Sequence, residues 1–301
     1  MTDPESPLST PPENVLAARA RLGEGPVWDA EAGVLWWVDI YNHRVHRFDP
    51  AAGEDVAYEA GETVGAVAPA AGGRLLLALR CDLAFLDPES GRVERAATVL
   101  PRRPGLRFND GKCDPRGRFW IGSMSAEEGG AALYRFDPDG SVRTVETGLT
   151  ISNGLGWSPD ARVFYLTDTP ARRIYAYDFD ADRGEISGRR VFADLAGEEL
   201  FPDGLAVDRE GCVWSAQWDG GCVIRFAPDG GELLRVRMPV PRPTSCAFGG
   251  SEGEELYVTS ASIGLGEEEV EAGFESGDLF RLRPGVAGLP VPRFGGEQPL
   301  A

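Results

Sequence analysis

The residues of this chain best suited to chemistry carry oxygen, and each sits directly before a glycine. They lie in Gly23-Glu24-Gly25-Pro26, Phe108-Asn109-Asp110-Gly111, Ser152-Asn153-Gly154-Leu155 and Pro202-Asp203-Gly204-Leu205. An apolar, strand-like run follows each stretch. If the fold carries Glu24, Asp110, Asn153 and Asp203 to one point, their carboxylate and amide oxygens suit a divalent cation. Hard oxygen donors without histidine or thiolate imply calcium, magnesium or manganese. Zinc or ferrous iron is the alternative, with three oxygen ligands plus water.

Other chemistries fail on inventory. There is no GxSxG nucleophile elbow, no histidine placed for a Ser-His-Asp relay and no phosphate-binding glycine loop. The two histidines, His43 and His46, are three apart, so on one strand they point to opposite faces and form no ligand pair. The run from Asp137 to Gly140 imitates a calcium loop, but its twelfth position is Gly148 and not a glutamate, so it reads as a hairpin turn. Any enzyme here would rely on the cation to polarise a carbonyl and lower the pKa of water, with a nearby carboxylate taking the proton. That chemistry suits hydrolysis of an activated ester. Arg107 and Asn109, beside Asp110, could hold hydroxyl groups or a carboxylate.

What must position these residues is a repeat. Six short amphipathic runs begin at Val45, Leu83, Leu133, Ile174, Val223 and Leu279, separated by 38, 50, 41, 49 and 56 residues. A second series keeps step with the first: Val34–Val38, Leu75–Ala78, Phe119–Gly122, Val163–Leu166, Cys212–Ser215 and Leu256–Thr259. Both series are rich in β-branched and aromatic residues and bounded by Gly, Pro, Asp and Asn. The period is that of a four-stranded propeller blade, and no amphipathic helix of ten or more residues is evident. The expected fold is therefore all-β, a six-bladed β-propeller with a metal site in its central channel. The expected organisation is a disordered tail over 1–13 and one domain over 14–301. The segment 262–278, with Glu267-Glu268-Glu269, interrupts the sixth unit and reads as a solvated surface loop.

Placing the six units in register puts Glu24, Val64, Asp110, Asn153, Asp203 and Thr244 on one ring at the channel mouth. Asp and Asn also favour the position before a turn glycine, which would account for one or two of them. A net charge of −18 argues against nucleic acid and anionic membranes as partners. The polar, proline-rich N-terminus does not read as a secretory signal, and no apolar run is long enough to span a membrane. Five widely spaced cysteines without a CxxC fit free, buried thiols in a reducing cytoplasm.

At these residues the chain resembles the senescence marker protein/gluconolactonase/luciferin-regenerating enzyme-like family, which includes regucalcin and bacterial sugar lactonases. Gly23 to Trp28, Arg107-Phe108-Asn109-Asp110-Gly111-Lys112, Ile151 to Leu155 with Trp157, and Pro202-Asp203-Gly204 carry the resemblance. It implies one divalent metal held by Glu24, Asn153 and Asp203, with Asp203 also the general base. Arg107 and Asn109 match positions that contact the sugar, and Glu127 matches a further substrate-contacting glutamate in a segment shorter than in animal members. Asp110 falls outside the implied ligands and would act behind them or through water. The implied activity is opening of an aldonolactone such as a glucono-, xylono- or arabinonolactone, by a monomer or weak dimer. A propeller esterase for another ester and a non-catalytic calcium-binding protein are the alternatives.

Overall fold

The computed structural model describes residues 10–266 and 275–296. The described strands form six four-stranded antiparallel sheets arranged as a β-propeller. Apart from a single 3-10 turn at Ala71–Gly73, no helix occurs among the described residues, and none is long and apolar enough to cross a membrane. The inner strands are Gly23–Asp29, Val64–Pro69, Arg107–Cys113, Ser152–Trp157, Phe201–Val207 and Pro243–Gly249. Both repeated series of the sequence are strands. Val34–Asp39 and its five equivalents pair with the inner strands, and Arg44–Asp49 and its equivalents pair next.

The fourth strand of each blade is different in kind. Glu54–Glu59 and Arg92–Thr98, for example, are mostly exposed and alternate charged with partly buried residues. In the last blade this outer strand comes from the other end of the chain: Glu13–Leu16 pairs antiparallel with Leu279–Leu282. Arg281 pairs with Glu13 at 2.8 Å, and the Asn14 amide donates to Asp278 and Glu275. Closing the ring this way removes a free sheet edge. Of the expected tail, residues 1–9 lie outside the described residues, and Glu13 opens the closing strand. The acidic run Glu267-Glu268-Glu269 also lies outside them, between Glu255–Ser260 and Leu279–Leu282 in sequence.

Aromatic side chains pack between blades. Trp120 meets Trp157 edge-on at 6.0 Å across the third and fourth blades, and Trp28 stacks on Tyr257 at 5.9 Å across the first and last. All five cysteines are free and buried. His46 is buried against Trp37, with Nδ1 2.6 Å from an Asp55 oxygen, while His43 sits in the adjoining turn.

Every inner strand breaks register with its neighbour near the same place. The shifts fall at Glu24/Val27, Val64/Ala66, Phe108/Gly111, Asn153/Leu155, Pro202/Leu205 and Pro243/Ser245. A bulge adds a residue and re-aims its side chain. Here six bulges coincide with the six ring positions.

Candidate metal centre in the propeller channel

The glycines after the ring residues are set by crowding more than by turn geometry. Gly25 has a left-handed φ of +53°. Gly154 does not, yet a Cβ there would meet the Asp203 carbonyl oxygen at 2.4 Å and the Leu205 nitrogen at 2.7 Å. Gly65 is pressed in the same way against the Asn109 carbonyl oxygen, also at 2.4 Å. Neighbouring inner strands touch backbone to backbone around the channel. Side chains just before these glycines are therefore brought together.

Glu24, Asp110, Asn153 and Asp203 are all buried, none more than 6% exposed. Glu24 Oε2 accepts from the Gly25 N–H at 3.0 Å, and Asp110 Oδ1 accepts from Gly111 at 2.8 Å. The Asn153 amide donates to Thr169 Oγ1, which in turn donates to the Pro202 carbonyl oxygen at 2.9 Å. This relay fixes which way the amide points. It leaves Asn153 Oδ1 buried without a partner, and Asp203 Oδ1 is left in the same condition.

The electrostatics agree with that deficit. Burial, and then the Asp110 charge, push the Glu24 carboxyl up to about 8. Burial followed by repulsion from Glu24 and Asp110 holds Asp203 well above the usual carboxylate range. Burial raises Asp110 as well, against the attraction of Lys112. Buried like charges with idle oxygens are costly unless a cation meets them. An oxygen-only donor set of two carboxylates and an amide, with a third carboxylate beside it, fits a hard divalent cation.

The remaining ring positions differ. Val64 is apolar and fully buried. Thr244 is spent on closing the ring: its hydroxyl donates to the Gly23 carbonyl oxygen at 2.5 Å and lies 2.8 Å from Thr259 Oγ1.

At the mouth, Arg107 donates to Asn109 Oδ1 at 2.7 Å and to the Phe108 carbonyl oxygen, and Asn109 Nδ2 donates to the Ser152 carbonyl oxygen. The guanidinium also lies over the ring of Tyr41 at 5.6 Å, and its charge reaches Glu24. Arg107 and Asn109 are thus pre-set as one unit beside the ring. Glu127 sits exposed on the hairpin after the third blade's second strand, and its carboxylate makes no hydrogen bond or ion pair among the described residues.

Three supporting residues escape sequence reasoning: Thr169, Tyr41 and Lys112. Lys112 alone carried a signal, as the final residue of the Arg107–Lys112 motif.

A group of ligand-type atoms within 4.8 Å of one another lies toward the other end of the inner strands, at Asp208, Glu210 and Cys212. Arg225 already neutralises it, pairing with Asp208 at 2.7 Å and Glu210 at 2.6 Å, and Trp214 Nε1 donates to Asp208. It has no need of a cation. The same end of the channel holds an apolar cavity of about 190 Å³, lined by Trp157, Phe248 and Leu289 to Pro292. That apolar cavity is therefore not where the polar chemistry gathers.

A six-bladed propeller with an oxygen-lined ring inside its channel defines the class. Residues 22–262 match the SMP-30/Gluconolactonase/LRE-like region, and the chain belongs to that family. It is 40% identical to a pentonolactonase of Haloferax volcanii, over 92% of this chain and 95% of that protein. It is 39% identical to regucalcin of Gallus gallus, over 94% of this chain and 98% of that one. Among solved structures it resembles a calcium-binding protein, regucalcin, of Agrobacterium tumefaciens, with a TM-score of 0.90 and 30% identity over 94% of this chain and 96% of the other.

Proposed function

We propose that this protein is a sugar lactonase that opens an aldonolactone to the aldonic acid, using one divalent cation held by Glu24, Asn153 and Asp203. The observation that carries the reading is the pair of buried, unpartnered oxygens, Asn153 Oδ1 and Asp203 Oδ1, on a ring with two further buried carboxylates. The lactonase name of the Haloferax volcanii relative supports the substrate class. When bound, the cation polarises the lactone carbonyl and makes water more acidic.

The chain's own residues do the rest. Asp203 takes a proton from the attacking water as the water oxygen bonds to the carbonyl carbon. The ring C–O bond breaks as its oxygen takes that proton back from Asp203, and it leaves as the hydroxyl of the open acid. Arg107 and Asn109, already locked to each other, hold the sugar hydroxyls, with Glu127 on the rim as a third contact. Asp110 stands behind the ligands and keeps the ring negative.

Loss of Arg107 removes charge-assisted hydrogen bonds to substrate while leaving the buried ring in place. Arg107→Ala is expected to raise KM for the lactone about tenfold. Steady-state kinetics with calcium-binding calorimetry beside them check this, and the cation affinity should rise modestly, because a positive charge acting on Glu24 is gone.

The experiment that tests the function is a pH-indicator assay on glucono-, xylono- and arabinonolactone, with and without chelator. Hydrolysis that stops with chelator supports the reading. Inactivity on every five- and six-membered lactone with every divalent metal would favour a non-catalytic cation-binding protein, the description carried by the Agrobacterium tumefaciens structure.

A further inference from the structure

One partly buried charged group that lines the channel has no part in the mechanism above. Lys112 lies on the same inner strand as Asp110, one turn of the pleat further from the mouth. Its side chain is half-buried and lines the narrow part of the channel together with Asp110, Gly25 and Ser245. It also borders the apolar cavity at the far end. Nζ donates to the Leu205 carbonyl oxygen at 2.9 Å, two residues beyond Asp203.

This placement separates Lys112 from the substrate. The mouth, with Arg107 and Asn109, is on the other side of the carboxylates. Nζ is tied to a backbone carbonyl, so it is not poised as a nucleophile or a base. What it contributes is charge. Two cationic groups act on the three buried carboxylates: Arg107, whose field reaches Glu24 from the mouth, and Lys112, whose field reaches Asp110 from below. Arg107 faces the incoming substrate. Lys112 is the interior partner: burial lowers its pKa, and the Asp110 charge works against that.

We infer that Lys112 is the internal counter-charge of the ring, a positioning residue that matches the site to a cation of charge two. With a cation bound, Glu24, Asp110 and Asp203 would be held ionised and bring three negative charges into the channel, of which Lys112 would meet one. Two remain for the cation. In an interior of low dielectric, an unmatched unit charge acts on each added cation charge in proportion, so it alters preference between charges more than shape does. The inference rests on the reading of the ring as a cation site.

The test measures preference, not turnover. Calorimetric titrations with calcium chloride and with terbium chloride are run on the wild type, Lys112→Met and Lys112→Arg. The two ions are close in size and both favour oxygen donors, so their affinity ratio reports charge. Lys112→Met is expected to shift that ratio toward terbium about tenfold or more. Lys112→Arg should keep the wild-type ratio. General loosening of the site would weaken both ions together and leave the ratio alone.

A wild-type ratio in Lys112→Met, or an equal shift in Lys112→Arg, would overturn the inference. Should Lys112→Met fail to fold, Lys112→Gln carries the same test. A wild type that binds neither ion would instead refute the cation site itself, and that outcome is distinct.

Discussion

Asp203→Ala is expected to lower lactone hydrolysis about a thousandfold while leaving the propeller folded. The activity loss has two sources: the group that takes the proton is gone, and so is one of the cation's oxygen donors. The fold should survive because burial and the Glu24 and Asp110 charges disfavour the Asp203 carboxylate more than its hydrogen bonds from Asn153 and the Gly204 N–H favour it. Its Oδ1 has no partner, and its charge is opposed by Glu24 and Asp110. The melting temperature of the cation-free variant should equal or exceed that of the wild type, since a buried repulsion has been removed. Calcium, which raises the melting temperature of any protein it binds only when folded, should stabilise the variant far less than the wild type. Asn153→Ala should share the loss of calcium stabilisation. Full lactonase activity in both variants would refute the assignment of these residues.

The second large effect is structural. Gly154→Ala adds one methyl group where no space exists, because the Cβ would fall within 2.7 Å of two backbone atoms of the Asp203–Leu205 segment. Backbone cannot step aside as a side chain can. The inner strands of the fourth and fifth blades must part, carrying Asn153 and Asp203 with them. A destabilisation of about 3 kcal/mol or more is expected, at the upper end of overpacking costs. Calcium binding should be lost in whatever fraction remains folded. Thermal melting and calorimetry on one sample would show both. A variant that melts within a degree or so of the wild type would mean that the strands are held less tightly than the close approach at Gly154 requires.

That glycine shows where sequence reasoning reached the right place for an incomplete reason. An acidic or amide residue before a glycine suggests a turn, and at Gly25 the backbone is indeed left-handed. At Gly65 and Gly154 the requirement is instead the close pass of the next blade, which no local pattern reveals. The ring was still readable, because a glycine follows the ring residue in five of the six blades, with Ser245 in the sixth.

The second and third strands were readable from their β-branched and aromatic runs, which are buried on both faces in strands such as Val34–Asp39. The outer strands were not. Glu54–Glu59 and its counterparts face water, so their composition is that of any charged surface segment. The closing strand Glu13–Leu16 is only four residues long and adjoins a proline-rich stretch; its partner lies more than 260 residues away.

Within the site the same division holds. The proposed ligands Glu24, Asn153 and Asp203 are read from residue type and position. Thr169 and Lys112 matter because of what the fold sets opposite them: the Asn153 amide for one, the Leu205 carbonyl and the Asp110 charge for the other. Thr244 shows the converse. Its type and register suit the ring, but a hydroxyl at the junction of first and last blades is consumed by the Gly23 carbonyl oxygen.

The central claim is that one divalent cation on this ring is required for lactone hydrolysis. It is tested most directly by stripping the protein with chelator, removing the chelator, and following gluconolactone hydrolysis as calcium, manganese or zinc is returned. The account predicts that the stripped protein is inactive and that activity returns with one of these ions, saturating at about one equivalent per chain. Undiminished hydrolysis by protein shown by elemental analysis to be metal-free would contradict it.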